Sequence, residues 1–307
     1  MEISIVVPVY NVENYLKACL DSLIFDSTIE YEIIVIDDGS TDNSGKIARD
    51  YAKKHSNLIK YFYQENGGLS AARNCGLEHA CGKYIMFIDS DDYILQDKMK
   101  ELWKLCIKKE QDIIFANYEK DIDGTIEKHM FNYQKKKMIN HSINGKKFMI
   151  GVYDYFKDEF DSEAVTQIYN RNFLLKNKLK FTNGIIHEDT LFMIQILMKA
   201  KKVYLCDISF YRYRMRSDSI MNSLGEKHYI SLSIIADTLY DLKQIEKINK
   251  IYMDSYLLSL VYEASKYPEI LCRLDVEKYI NSCKRLTIKA CLKKVLLKLK
   301  LYNYSKA

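Results

Sequence analysis

The first ninety residues alternate between β-branched apolar runs and stretches of helical periodicity, and that alternation leaves few folds open. ISIVVPVY, YEIIVID, IKYFY and YIMFID read as four strands. Between them, NYLKACLDSLI places Leu16, Leu20, Leu23 and Ile24 at helical spacing. SGKIARDYAKKH carries Ile47 and Tyr51 beside a basic face, and LSAARNCGLEHA is built from good helix formers. Strands that alternate with helices make right-handed βαβ units and a mostly parallel sheet. Continuous apolar strands fit a sheet covered on both faces.

After Asp92 the pattern loosens. KMKELWKLCIKK is an amphipathic helix with Met99, Leu102, Trp103 and Cys106 on one side, and QDIIFANYEKD reads as a further strand. DGTIEKHMFNYQKKKMINHSING is polar and irregular, a hairpin or loop. The end of FTNGIIHEDTLFMIQILMKA is helical in pattern, and KKVYLCDISFYRYR predicts two short strands. From about Gly225 nearly everything reads helical. These patterns predict a sheet domain over residues 1–220 and a helical C-terminal extension over 221–307, with a boundary near Asn222.

The bulk numbers exclude more than they assign. A net charge of only +5 on 307 residues gives no reason to expect nucleic acid. The eight cysteines include no CxxC pair, which argues against a zinc site, and free thiols fit a reducing, cytoplasmic setting. The N-terminus enters a strand at once, without the basic and apolar regions of a signal peptide. No run of about 18 uncharged apolar residues is available to span a membrane.

In an open parallel sheet, ligands bind beyond the carboxyl ends of the strands. The residues that follow the four strands are Pro8-Val9-Tyr10-Asn11, Asp37-Asp38-Gly39-Ser40-Thr41-Asp42, Glu65-Asn66-Gly67-Gly68 and Asp89-Ser90-Asp91-Asp92. All four clusters should face one crevice, and plain turns do not require this density of aspartates. The missing motifs narrow the chemistry. GxGxxG does not follow the first strand, so a nicotinamide or flavin cofactor is not expected, and no GxxxxGK[ST] loop occurs. A sugar nucleotidyltransferase would open on a Gly-rich basic loop, also missing.

SIVVPVYNVENYLKACLDSL, YEIIVIDDGSTDNS, ENGGLSAARNCGLEHACGKYIMFIDSDD and HEDTLF together resemble a family 2 glycosyltransferase of the GT-A fold. The resemblance covers at least residues 1 to about 220. It implies a Rossmann-like α/β sheet flanked by helices, and a bacterial enzyme of capsule, exopolysaccharide or lipopolysaccharide synthesis. It implies a metal-dependent, inverting transfer from a nucleotide sugar, a UDP-sugar above all, to a glycan or polyprenyl-linked saccharide. The other reading is a non-catalytic nucleotide-sugar-binding scaffold protein.

The resemblance also implies residue roles. Asp89 and Asp91 match the DxD motif that holds Mn²⁺ or Mg²⁺, with Asp91 as main ligand and Asp89 also reaching toward the ribose, alongside Ser90. For Asp92 the other reading is a cap on the following turn or helix. Asp38 matches the aspartate that accepts the uracil N3–H, whereas Asp37 and Asp42 fit turn positions better. Tyr10 would stack on the base, and Pro8 and Val9 would offer backbone groups. Asn66 and Gly67 belong to the nucleotide-sugar contacts, and Gly67 and Gly68 let the backbone approach. Arg73 matches a nucleotide-contacting arginine. Glu188-Asp189 matches the ED motif, with Asp189 as general base and Glu188 shaping the acceptor pocket; acidic residues also suit a helix N-terminus. In YRYRMRSDSIM, Arg216 and Ser219 would touch the diphosphate.

KRLTIKACLKKVLLKLKLYNYSKA has eight basic residues and no acidic one. Ile288, Leu292, Val295, Leu296 and Leu299 fall on one helical face, with the lysines largely elsewhere. Two fates are open for residues 284–307: peripheral contact with an anionic membrane at the inner face of the cell membrane, or packing on the preceding helices with the lysines in solvent.

Overall fold

The computed structural model describes residues 1–128, 140–149, 163–215, 225–245, 251–284, 286 and 288–304. Its framework is a ten-stranded mixed sheet in the order β3-β2-β1-β4-β9-β6-β10-β5, with β7 paired to β6 and β8 to β10. β1 (Ile3–Val9), β2 (Tyr31–Asp38), β3 (Ile59–Gln64) and β4 (Tyr84–Phe87) are mutually parallel. Helices α1 (Leu16–Leu23), α2 (Ser44–Lys54) and α3 (Leu69–His79) make the crossovers between them. Every residue of β1, β2 and β4 is buried, as continuous apolar runs require when both faces are covered.

The second half departs from simple alternation. β9 (Gln167–Asn170) inserts antiparallel between β4 and β6 (Ile113–Ile122), and β10 (Val203–Arg214) runs parallel to β6. The long strands on either side of β9 therefore keep one direction, and their carboxyl ends share one edge. β10 is one strand where the sequence predicts two. Its register against β6 shifts between Leu205 and Ser209 and again between Ser209 and Tyr211. A continuous ten-residue partner holds both halves, so the break in pattern becomes a bulge rather than a turn.

α4 (Gln96–Lys109) buries Met99, Leu102, Trp103 and Cys106 as its spacing requires. Of the hairpin and the loop left open after β6, the described part is a hairpin, with β7 (Thr125–Lys128) antiparallel to β6; the residues after it, to 139, lie outside those described. β8 (Ser142–Ile143) and α5 (Arg171–Lys176) follow, and α6 (Glu188–Lys199) leads into β10. Beyond β10 the described residues are helical: α7 (Glu226–Ile245), α8 (Ile251–Ala264), α9 (Pro268–Arg273), α10 (Val276–Ser282) and α11 (Ile288–Tyr304). The predicted boundary near Asn222 lies outside the described residues. Among those described, no helix is long and apolar enough to cross a membrane.

Two features aim the framework at one end. β5 (Tyr93–Ile94) pairs with β10, so the acidic turn after β4 crosses the carboxyl edge of the sheet to reach it. Below that edge, Phe87, Tyr169, Phe181 and Phe192 form a ring cluster with centroids 3.9 to 5.8 Å apart. It ties β4 and β9 to α6 and fixes where the N-terminus of α6 lies.

Candidate active site

The clusters after the first three strands are joined by side chain-to-backbone bonds. Asn11 Oδ1 accepts from Thr41 N at 2.8 Å, and Val12 N donates to Ser44 Oγ at 2.8 Å. The three neighbouring aspartates divide their work. Asp37 accepts from Ser40 N and from the Tyr61 hydroxyl, and Asp42 accepts from Ser44 N and Glu13 N; both are spent on the turn. Asp38 reaches the next strand's loop instead. Its Oδ1 accepts from Gln64 Nε2 at 2.6 Å and Gly67 N at 2.9 Å, and its Oδ2 from Gly68 N at 2.9 Å.

A carboxylate offers about four lone-pair positions, so Asp38 keeps one on Oδ2. Gly68 sits at φ +84°, a conformation that favours glycine, and this turns its N–H toward Asp38. Asn66 and Gly67 are exposed on the rim, and Tyr10 is 47% exposed at the end of β1. β4 pairs with β1 only as far as Val6, so the side of Pro8 and Val9 away from β2 lies beyond the ladder.

The acidic turn is braced from beneath. Asp92 is buried, and its Oδ2 accepts from the Tyr211 hydroxyl at 2.5 Å while Oδ1 accepts from Arg214 N at 2.7 Å. Its carboxylate therefore locks the turn onto β10 and does not cap the next helix, which starts after Leu95 and has no side-chain cap. Burial, then the charges of Asp91 and Asp89, push the Asp92 carboxyl well above the ordinary carboxylate range. Ser90 is buried, whereas Asp89 and Asp91 remain partly exposed.

Arg73 joins the two acidic motifs. It is 3% exposed, with Nη2 at 2.9 Å from Asp89 Oδ1 and Nη1 at 2.9 Å from Glu188 Oε1. Its guanidinium lies 5.3 Å over the Phe181 ring. The arginine expected to touch nucleotide is thus committed to two carboxylates, because α3 packs tightly enough on the sheet to bury it. A Cβ at Gly76, one turn on, would stand 2.1 Å from Val6 Cγ1. Asp189 follows Glu188 in the first turn of α6 and accepts from Thr190 N at 2.8 Å. Burial and the Glu188 charge push its carboxyl up to about 7, against the lowering pull of Arg73. The arrangement can hold one carboxylate as a base near neutral pH beside a fixed cation.

Sequence comparison decides what this arrangement belongs to. The profile of glycosyl transferase family 2 matches residues 4–155. The chain is 31% identical over 242 residues to the glycosyltransferase GlyG of Streptococcus pneumoniae, covering 72% of this chain and 73% of that protein. The chain belongs to glycosyl transferase family 2. It is also 35% identical over 236 residues to glycosyltransferase GlyA of the same organism, covering 74% of this chain but only 32% of that protein's length. The S. aureus TarS 1–349 structure in complex with UDP-GlcNAc shares the fold, with a TM-score of 0.65 at 24% identity over 92% of this chain and 79% of that one. The protein is thus a glycosyltransferase of the GT-A fold.

For this family 2 glycosyltransferase, the donor set at the acidic turn bears on a metal. No group of three or more His, Cys, Asp or Glu side chains suited to hold an ion exists among the described residues. Mg²⁺ and Mn²⁺ need no such cage, since one or two carboxylates plus substrate phosphates and water suffice. Asp91 and the Asp89 oxygen not engaged by Arg73 fit that requirement.

Residues that pattern reading passed over also join the candidate site. Tyr211 and Gln64 are the direct partners of Asp92 and Asp38, yet each looks like an ordinary strand residue. His187 has φ 64° at the start of α6, and its Nε2 lies 2.9 Å from His228 Nδ1 on α7. Ser231, on the same face of α7, accepts from Ile186 N at 2.9 Å. The helical extension therefore grips the segment that leads into Glu188 and Asp189. Arg216 and Ser219 lie outside the described residues.

Proposed function

We propose that this glycosyltransferase moves a sugar from a UDP-sugar to a glycan or lipid-linked saccharide acceptor in bacterial surface polymer synthesis, with inversion. The observation that carries the reading is the Arg73 bridge, which brings Asp89 of one acidic motif and Glu188 of the other, next to Asp189, within 2.9 Å of one guanidinium; the Asp189 carboxyl, pushed up to about 7, agrees with it. In the proposed reaction, Asp189 takes the proton of the acceptor hydroxyl as its oxygen attacks the anomeric carbon. The bond to the diphosphate breaks and UDP leaves with that electron pair. Glu188, held by Arg73, forms the wall of the acceptor pocket.

The nucleotide would lie over the ends of β1, β2 and β3. Tyr10 offers an exposed ring to the base, and Asp38 has one acceptor position left for a uracil N3–H. Pro8, Val9, Asn66, Gly67 and Ser90 line the same edge. The TarS complex supports UDP as the carrier. Asp91, with Asp89, would hold Mn²⁺ or Mg²⁺, which supplies positive charge to the departing diphosphate. Arg216 and Ser219 are retained as proposed diphosphate contacts. Residues 1–220 would form the catalytic domain, and residues 284–307 would touch an anionic membrane from the cytoplasmic side.

The test is a donor screen that reads released UDP, followed by NMR of the product anomer. A β-linked product from an α-linked donor supports the reading. Retained configuration, or a protein that binds UDP-sugars but transfers from none of them, overturns it.

A further inference from the structure

The C-terminal helix buries only part of its apolar side. α11 lies on α8 with Ala290 and Leu297 buried. Three of its lysines turn toward the protein. Lys293 Nζ donates to Ser259 Oγ at 2.9 Å, Lys294 Nζ to Cys283 O at 3.1 Å, and Lys300 Nζ to Ser265 O at 3.0 Å. Lys293 and Lys300 also stand 5.7 and 5.3 Å over the Tyr262 ring. Three of its aliphatic residues face out: Leu292 is 62%, Val295 55% and Leu296 44% exposed. The helix therefore packs on the preceding helices, one of the two fates open from sequence, but with its lysines divided: Lys289 and Lys298 stay in solvent while these three turn inward. The side chains of Ile288 and Leu299 lie outside the described residues.

At about 100° per residue, Leu292, Val295 and Leu296 form one stripe. Lys289 borders it on one side and Lys298 on the other, and both are exposed. Among the described residues, three exposed large apolar side chains share this one helix face, which calls for an explanation. A two-fold contact with a second copy would set these lysine borders against one another. A plane with anionic headgroups over an acyl interior accepts both parts, the stripe entering while the lysine stems reach back to the phosphates.

We propose that the exposed Leu292–Val295–Leu296 face of α11 is the surface by which this enzyme docks on an anionic lipid bilayer, with Lys289 and Lys298 as its flanking headgroup contacts. This deepens the membrane contact in the proposed function and rests on it only for the reason a membrane is needed. Docking requires no turnover, and donor hydrolysis requires no membrane, so the two can fail separately.

The experiment uses the full chain and vesicles of phosphatidylcholine with or without phosphatidylglycerol. Point changes are preferable to truncation, because Lys284 N donates to buried Asp254 at 2.9 Å and removing the tail would disturb the core. The expected result is sedimentation with phosphatidylglycerol vesicles that falls about tenfold or more in L292S/V295S/L296S, from the loss of apolar burial. A similar drop is expected in K289E/K298E. UDP-sugar hydrolysis without vesicles should be unchanged in both. Wild-type protein that ignores phosphatidylglycerol vesicles overturns the proposal, as does a triple variant that sediments like wild type. A vesicle-free dimer that becomes monomeric in the triple variant also overturns it, by assigning the face to a second copy.

Discussion

Arg73 and Glu188, 115 positions apart, meet at 2.9 Å in the crevice above the sheet, and the same guanidinium reaches Asp89. Removing it leaves two crowded carboxylates without their cation. Loss of one partner from a buried ion pair costs about 3–5 kcal/mol. Arg73→Met should therefore lower unfolding stability by about that amount in urea titrations and cut UDP release about a hundredfold or more through misplaced carboxylates. A variant with wild-type stability would show that the bridge carries no weight.

In the proposed reaction Asp189 serves as a base only when ionised. With its carboxyl raised to about 7, kcat/KM should fall as pH drops through that value. Asp189→Asn should abolish transfer while calorimetry still detects UDP. Linkage runs the opposite way for stability. The folded state holds this proton more tightly than the unfolded chain does, so the group's stabilising contribution is complete below about pH 4 and lost as pH rises through about 7. In metal-free buffer, Asp189→Asn should thus raise the Tm at pH 8 and leave it nearly unchanged at pH 4.

The two ends of the acidic turn should respond differently to change. Asp91→Ala should weaken Mn²⁺-dependent donor binding and leave the fold intact, and adding a chelator should erase the difference from wild type. Tyr211→Phe removes the 2.5 Å donor to buried Asp92, a loss of about 1–3 kcal/mol. Its signature would be a lower Tm with a raised donor KM. Equal effects of both changes on metal-dependent binding would contradict the division of roles.

His187 gives a second pH effect. Burial, then the neighbouring His228, lowers its pKa, so the unfolded chain takes up this proton more readily. Its contribution is complete above the unfolded value of about 6.5 and lost as pH falls through the lower folded value. Urea midpoints measured across that range should drop with acidification, and more steeply in wild type than in His187→Gln. Parallel curves would remove the pair from the account.

The sequence by itself determined the strand-helix alternation of the first ninety residues, the edge where the polar clusters gather, and the family. Those follow from local information: apolar period, turn residues and short motifs. The family resemblance set Asp38 apart from Asp37 and Asp42, and the structure has the latter two bonded within the turn. What only the tertiary structure decided is pairing over long separations. β9 enters antiparallel between β4 and β6, Arg73 serves carboxylates rather than standing free, and Asp92 belongs to Tyr211. Nothing near Asp92 in the chain announces a tyrosine 119 positions later. The orientation of α11 has the same origin. A helical period separates leucines from lysines, but which residues turn inward depends on the facing surface, and here Ser259 and Tyr262 of α8, with Ser265 just beyond it, are partners for ammonium groups.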